Sequence, residues 1–135
     1  MELNILRADP AGNITVFVLD PVEKAQRAAI AEKIMAIPAL KAEQVGYACE
    51  DDVDGHMEMM GGEFCGNATR AYGMYIAQQK GGLSSVRLRV SGCDHAVTAQ
   101  VDLKSGTARA EMPCPRSVKR VTVNGHEGTL VDLTG

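Results

Sequence analysis

The chain contains no tryptophan, and aromatic residues make up only 4% of its 135 residues. That scarcity leaves little material for stacking nucleic-acid bases. No Lys/Arg run occurs, and a net charge of −3 supplies no basic footprint, so nucleic acid is not an expected partner. No apolar stretch approaches the roughly 20 residues that span a bilayer. The opening Met-Glu-Leu-Asn lacks the basic and apolar regions of a signal peptide. The expectation is a cytoplasmic protein with no membrane partner and with reduced cysteines. Those cysteines, at 49, 65, 93 and 114, form no Cys-x-x-Cys pair, so no metal site is expected. The acidic stretch 50–55 lacks the alternating ligands and closing Glu of a calcium loop and reads as a solvated turn. Repeats, linkers and low-complexity segments are absent from the sequence.

What is present is an ordinary globular composition, with 45% hydrophobic and 23% charged residues. Residues 1–135 read as a single domain. Two β-rich runs, 3–6 and 15–19, flank the turn composition Asp9-Pro10-Ala11-Gly12-Asn13 and read as a hairpin. Asp20, Pro21 and Glu23 form a helix start: a cap, a first-turn proline and an acidic third position. Ala25, Ala29, Ile30, Ile34 and Met35 continue that helix at its period, up to Pro38. Strands are expected at 44–49 and 56–60, the second with Met57 and Met59 on one face. A second helix is expected over 67–79, closed by Gly81-Gly82. Strands at 86–90, 96–103, 107–112, 118–123 and 129–133 follow, with hairpin turns at Lys104-Ser105-Gly106 and Asn124-Gly125. The expected fold class is α+β: a mostly antiparallel sheet wrapped around a central second helix.

The run Gly-Gly-Glu-Phe-Cys-Gly-Asn-Ala-Thr-Arg-Ala, residues 61–71, carries the most chemistry. It sets Cys65 at the mouth of the second helix. The helix dipole there favours a thiolate, Arg70 adds to the field, and Glu63 opposes it if its carboxylate turns inward. Gly66, Asn67 and Ala68 leave backbone N–H groups free to hold a carboxylate or phosphate. Each residue also has a plainer reading. Cys49, Cys93 and Cys114 are read as small buried hydrophobes. Asn13 suits a turn, and Glu63 suits a first helical turn. Arg70 suits an ion pair with Glu63 or Glu58. His56, His95 and His126 suit surfaces and turns, and Met57, Met59 and Met60 suit strand packing.

Cys-Gly-Asn-Ala-Thr-Arg-Ala resembles the Cys-Gly-Asn-Gly-x-Arg motif of the diaminopimelate epimerase family, cofactor-independent amino-acid racemases and epimerases. Ala11-Gly12-Asn13 is similar to that family's Gly-Asn-Asp-Phe segment, and Glu111-Met112-Pro113 to its Met-Gly-x-Pro strand end. Residues 131–135 resemble the strand that leads into its Gly-Asn-Pro-His segment. The likeness covers nearly the whole chain but only the N-terminal half of the family's usual protein. It implies a diaminopimelate epimerase-like half-domain and an isomerase with no cofactor, acting on a small-molecule amino acid. Cys65 would be one of two acid/base cysteines. Gly66 and Asn67 would hold the α-carboxylate, Asn13 would touch the substrate, and Glu63 would join the substrate site. The second cysteine would come from a missing C-terminal domain or a homodimer partner. The family's Asn-Ala-Asp-Gly-Ser-Glu stretch is replaced here by residues 56–63, which argues against diaminopimelate. The Gly-Gly-Glu-Phe-Cys-Gly-Asn form is closer to members that racemise other amino acids, such as histidine. Gly-Gly-Glu also resembles the phenazine-biosynthesis isomerase branch, which lacks the cysteine. The alternative reading is a non-catalytic carboxylate-binding module derived from the family.

Overall fold

Residues 1–51 and 53–133 are described by a computed structural model of the chain. Among them the order is β1 (Ile5–Ala8), β2 (Thr15–Val18), α1 (Lys24–Met35), β3 (Gln44–Cys49), β4 (Gly55–Met59), α2 (Gly66–Gln79), β5 (Ser85–Val90), β6 (Val97–Asp102), β7 (Thr107–Ala110), β8 (Ser117–Val123) and β9 (His126–Asp132). Strands β1 to β7 form one sheet in chain order, and β8 and β9 form a separate hairpin. In the large sheet β2–β3 and β4–β5 are parallel and the other joints antiparallel. Parallel neighbours need a crossover, and α1 and α2 supply the two.

Strand alternation sends side chains to two cores on opposite faces. Phe17, Met57, Met59, Val86, Leu88, Val97, Ala99 and Val101 face α2 and pack with its Ala68, Tyr72 and Ala77. Val16, Val18, Val45 and Tyr47 face the other way, onto Ile30, Ala31 and Ile34 of α1. The sheet curls around α2, which touches β4, β5, β6 and β7, while Phe17 of β2 reaches its Tyr72 ring at 5.4 Å between centroids. Gly73 permits the closest approach: a Cβ there would lie 2.7 Å from the Ala99 Cβ. Helix α2 ends in a left-handed turn. Gly81 has φ +84, Gly82 donates to the Ala77 carbonyl at 2.8 Å, and Gly81 donates to that of Gln78 at 3.2 Å.

The expected α+β class and the curled, mostly antiparallel sheet are present, with several corrections. Strand β1 lies two residues later than the apolar run suggested, at Ile5–Ala8. Helix α1 begins at Lys24 without a side-chain cap, because the Asp20 carboxylate accepts from the backbone and side-chain amides of Asn4 instead. The last two strands leave the sheet, and in their hairpin Val118, Val123, Leu130 and Val131 are all exposed. Asn124 and Gly125, with φ +51 and +78, make its two-residue turn as expected. The acidic turn is tied down as well as solvated: Asp51 accepts from Arg89 Nε at 2.7 Å, and Asp54 accepts from the Arg87 amide at 2.7 Å. Asp52 of that turn, and Thr134 and Gly135 of the closing segment, lie outside the described residues. His56 is half-buried in β4, with Nδ1 3.3 Å from Asp51. Cys114 is exposed and Cys49 and Cys93 are partly exposed, so none is a fully buried hydrophobe. No described helix is long and apolar enough to cross a membrane.

Candidate active site

Cys65 is the N-cap of α2, with extended backbone at φ −133 and ψ 111. An N-cap residue stands outside the helix while its side chain faces the first free amides. Here the sulfur plays that part, and the Ala68 N–H donates to Sγ at 3.4 Å. The Thr69 hydroxyl and amide both donate to the Cys65 carbonyl, at 2.8 and 2.9 Å, which fixes the turn from beneath. Thr69 is fully buried, so this anchor is shielded from water.

A polar network from β2, β3 and α2 surrounds the sulfur. Gln44 Nε2 faces Cys65 Sγ at 3.2 Å, Thr15 Oγ1 at 2.7 Å and Asn13 Oδ1 at 3.0 Å. Asn67 Nδ2 also donates to Asn13 Oδ1, at 3.3 Å, and that oxygen lies 3.9 Å from Cys65 Sγ. Asn13 Nδ2 in turn donates to Glu43 at 2.9 Å. The network serves both protonation states of the thiol. A thiolate accepts from Gln44 and Ala68; a thiol can donate to Asn13. Gln44 offers two N–H bonds to three acceptors, so one is shared.

On its other side Cys65 opens into a groove of about 680 Å3, lined by Phe64, Gly66, Asn67, Arg70, Arg109 and Met112 among others. The groove sets a thiol, helix-end amides and two guanidinium groups against one space. Helix-end amides favour an anion there. Of the residues singled out in the sequence, Cys65, Gly66 and Asn67 line this groove, and Asn13 stands behind the sulfur. Glu63 is exposed and outside the lining; its carboxylate folds back onto Gly61, and its carbonyl accepts from Ser91 Oγ at 2.7 Å. Among the described residues the expected pairing of Arg70 with Glu63 or Glu58 is not seen; Glu58 bonds Arg27 instead. The Arg70 Nε is buried and has no hydrogen-bond partner among the described residues.

Sequence reasoning missed Gln44 and Thr15. Nothing in the spacing links residues 15 and 44 to residue 65. The parallel register Thr15↔Gln44 makes them neighbours, and a parallel pair is invisible until the crossover is known.

Among the described residues two further clusters carry metal-ligand atom types: Cys49, His56 and Glu58, and Cys93, Asp94 and His95. The first is filled by Arg27. Its guanidinium bonds Glu58, lies 3.5 Å from Cys49 Sγ and stacks 5.2 Å from the Tyr47 ring centroid. Burial, then the Glu58 charge, pushes the Cys49 thiol up against the pull of Arg27. Burial opposes ionisation of Glu58 too, yet the Arg27 hydrogen bond and charge hold its carboxyl below the usual range.

Residues 2–134 match the family described as the histidine racemase CntK N-terminal domain. The chain is 31% identical over 142 residues to the histidine racemase of Fusobacterium nucleatum, an alignment covering 98% of this chain and 52% of that protein. A histidine racemase from Staphylococcus aureus is 32% identical over 122 residues, covering 86% of this chain and 44% of that protein. The chain thus spans about half the length of the curated relatives it matches. The family match begins before β1 and ends after β9, taking in the Cys65 turn, both cores and the closing hairpin, and on that extent the chain belongs to the histidine racemase CntK N-terminal domain family.

Proposed function

We propose that the chain is the N-terminal half of a pyridoxal phosphate-independent amino-acid racemase, with histidine the first substrate to test because its relatives carry that name. The observation that supports this most is Cys65 at the N-cap of α2, its sulfur faced by Gln44, Ala68 and Asn13 and open to a groove. In this reading the amides of Gly66 and Asn67 take the α-carboxylate, and Asn13 with Asn67 orients the substrate. The Cys65 thiolate removes the α-proton: the S–H bond forms, the C–H bond breaks, and the electron pair passes into the carbon and its carboxylate. A second thiol then protonates the opposite face, leaving Cys65 as thiol and its partner as thiolate. The helix end, preorganised toward the carboxylate, stabilises the developing charge, and closure of the groove excludes water. Glu63 contributes by tying the preceding turn to Ser91, outside the substrate contacts.

The second thiol belongs to the other half of the protein or to another copy of this chain. Exposed Met112, Val118, Val123, Leu130 and Val131 offer that partner an apolar surface. The alternative, a binding module that keeps the carboxylate site without turnover, differs in one measurable respect. Deuterium wash-in at the α-carbon of L-histidine and a panel of other L-amino acids is followed in D2O, without added pyridoxal phosphate. The chain alone is compared with the natural full-length gene product. Exchange by the full-length protein supports the racemase. Saturable amino-acid binding without exchange by either preparation refutes it in favour of the module.

A further inference from the structure

The loop from β5 to β6 and the segment leaving β7 meet in an open cavity of about 580 Å3, lined by Cys93, Asp94, His95, Cys114 and Arg116 among others. No residue of this lining also lines the groove of Cys65. Two of the chain's four cysteines line the cavity together, although no motif spacing links them.

The donor atoms converge. Cys93 Sγ lies 3.7 Å from Nδ1 and 3.9 Å from Nε2 of His95. His95 Nδ1 is 2.8 Å from Asp94 Oδ1, and Nε2 is 3.8 Å from Glu111 Oε1. The donor atoms of Cys93, Asp94 and His95 all lie within 4.8 Å of one another. Tetrahedral zinc, with Zn–S near ~2.3 Å and Zn–N and Zn–O near ~2.0–2.2 Å, sets its donors roughly 3.3–3.8 Å apart. The His95–Asp94 pair, hydrogen-bonded at 2.8 Å, would open and the wider pairs close, both within the reach of a rotamer change. The side chains that would make it are free to do so: Asp94 is 88% and His95 55% exposed.

We propose that Cys93 and His95, with carboxylates from Asp94 and Glu111, form a binding site for a zinc-class divalent transition metal. A thiol and an imidazole are borderline-soft donors that suit zinc and cobalt, whereas magnesium and calcium demand oxygen. Arg116 is the opposing charge, close enough to Asp94 to help hold its carboxyl low, though the His95 hydrogen bond contributes most to that. In the Cys49–His56–Glu58 cluster, by contrast, the guanidinium of Arg27 sits between the donors and bonds two of them. A cation of the protein itself already fills that cluster.

Binding here also reaches the turn before Cys65. Gly92, φ +73, packs so tightly against Phe64 that a Cβ would overlap the Phe64 amide nitrogen. Ser91 Oγ bonds the Glu63 carbonyl at 2.7 Å and accepts from the Met59 amide at 2.8 Å. A metal held at Cys93 and His95 braces the loop that supports the Phe64–Cys65 step. The proposal stands independently of the racemase reading.

The test titrates Co2+, then Zn2+, into the reduced, metal-free protein. One equivalent of Co2+ is expected to produce an intense thiolate-to-cobalt charge-transfer band that Zn2+ abolishes. Cys93→Ser is expected to lose the band. His95→Gln, at an exposed side chain, is expected to weaken binding by at least about tenfold, the low end of what even a ligand's hydrogen-bond partner contributes. Circular dichroism confirms that each variant is folded, and Cys49→Ser is expected to bind as the parent does. No band at one equivalent, a band that survives Cys93→Ser, or a band lost in Cys49→Ser would each overturn the proposal.

Discussion

Replacing Gln44 by leucine keeps most of the side-chain volume and removes the Nε2 donor that faces Cys65 at 3.2 Å. The variant is expected to fold. Thr15 Oγ1 retains its bond to the Asn13 carbonyl at 3.2 Å, and Asn13 Oδ1 retains Asn67 at 3.3 Å, so no buried oxygen is orphaned. The sulfur loses one of the two N–H groups directed at it. A hydrogen bond to a charged group contributes about 1.5–3 kcal/mol. Gln44 divides two N–H bonds among three acceptors, so the lower value applies, and about 1.5 kcal/mol corresponds to roughly tenfold. The alkylation rate of Cys65 by iodoacetamide at neutral pH should fall by about that factor. The rate is read peptide by peptide by mass spectrometry in the chain alone, with exposed Cys114 as internal reference. A Cys65 rate within about twofold of the parent, or faster, with Cys114 unchanged, would refute the network as the means by which the protein prepares this sulfur.

Two further predictions concern stability. Arg27→Gln removes the partner of Glu58, whose side chain is only 24% exposed, and the hydrogen bond to the Val22 carbonyl at 3.2 Å. Urea unfolding at neutral pH should show a loss of about 1–3 kcal/mol. Because the Glu58 carboxyl is held below its ordinary value in the folded state, this contribution is present above the unfolded carboxylate pKa and lost as pH falls through the folded one. The gap between parent and variant should therefore narrow toward about pH 3, and a constant gap would contradict the linkage. Phe17→Ala empties a fully buried position against Tyr72 and should cost about 3–5 kcal/mol, whereas Val118→Ala, 59% exposed in the hairpin, should change the chain's stability by under about 0.5 kcal/mol. Comparable losses in the two variants would mean that the hairpin shares the main core.

The sequence made the elements legible because two periodicities were clear. Met57 and Met59, Val86 and Leu88, and Val97, Ala99 and Val101 alternate as predicted and face α2 together. Gly81 and Gly82 end α2 where their conformational freedom requires. What could not be read depended on pairing between distant segments. Asp20 looked like a helix cap, but a tertiary bond to Asn4 claimed its carboxylate. Strands β8 and β9 alternate like the others, and alternation does not say which sheet a strand joins. At the site, Cys65, Gly66 and Asn67 were legible because one helix start places all three. Asn13 was suggested by resemblance, and Gln44 came into view only through the β2–β3 register. The approach of Glu111 to the Cys93–Asp94–His95 cluster hangs on two segments whose meeting no local pattern encodes.

The central claim, that Cys65 is one of two acid/base groups, is tested most directly by α-proton exchange in Cys65→Ser. Deuterium wash-in is measured from the L and D enantiomers of the substrate separately, with the full-length protein. The account predicts that exchange from the enantiomer whose α-proton faces Cys65 falls by roughly 10²–10⁴-fold, the usual contribution of a positioned acid or base, while circular dichroism and substrate binding are retained. Undiminished exchange from both enantiomers in the folded variant would contradict it.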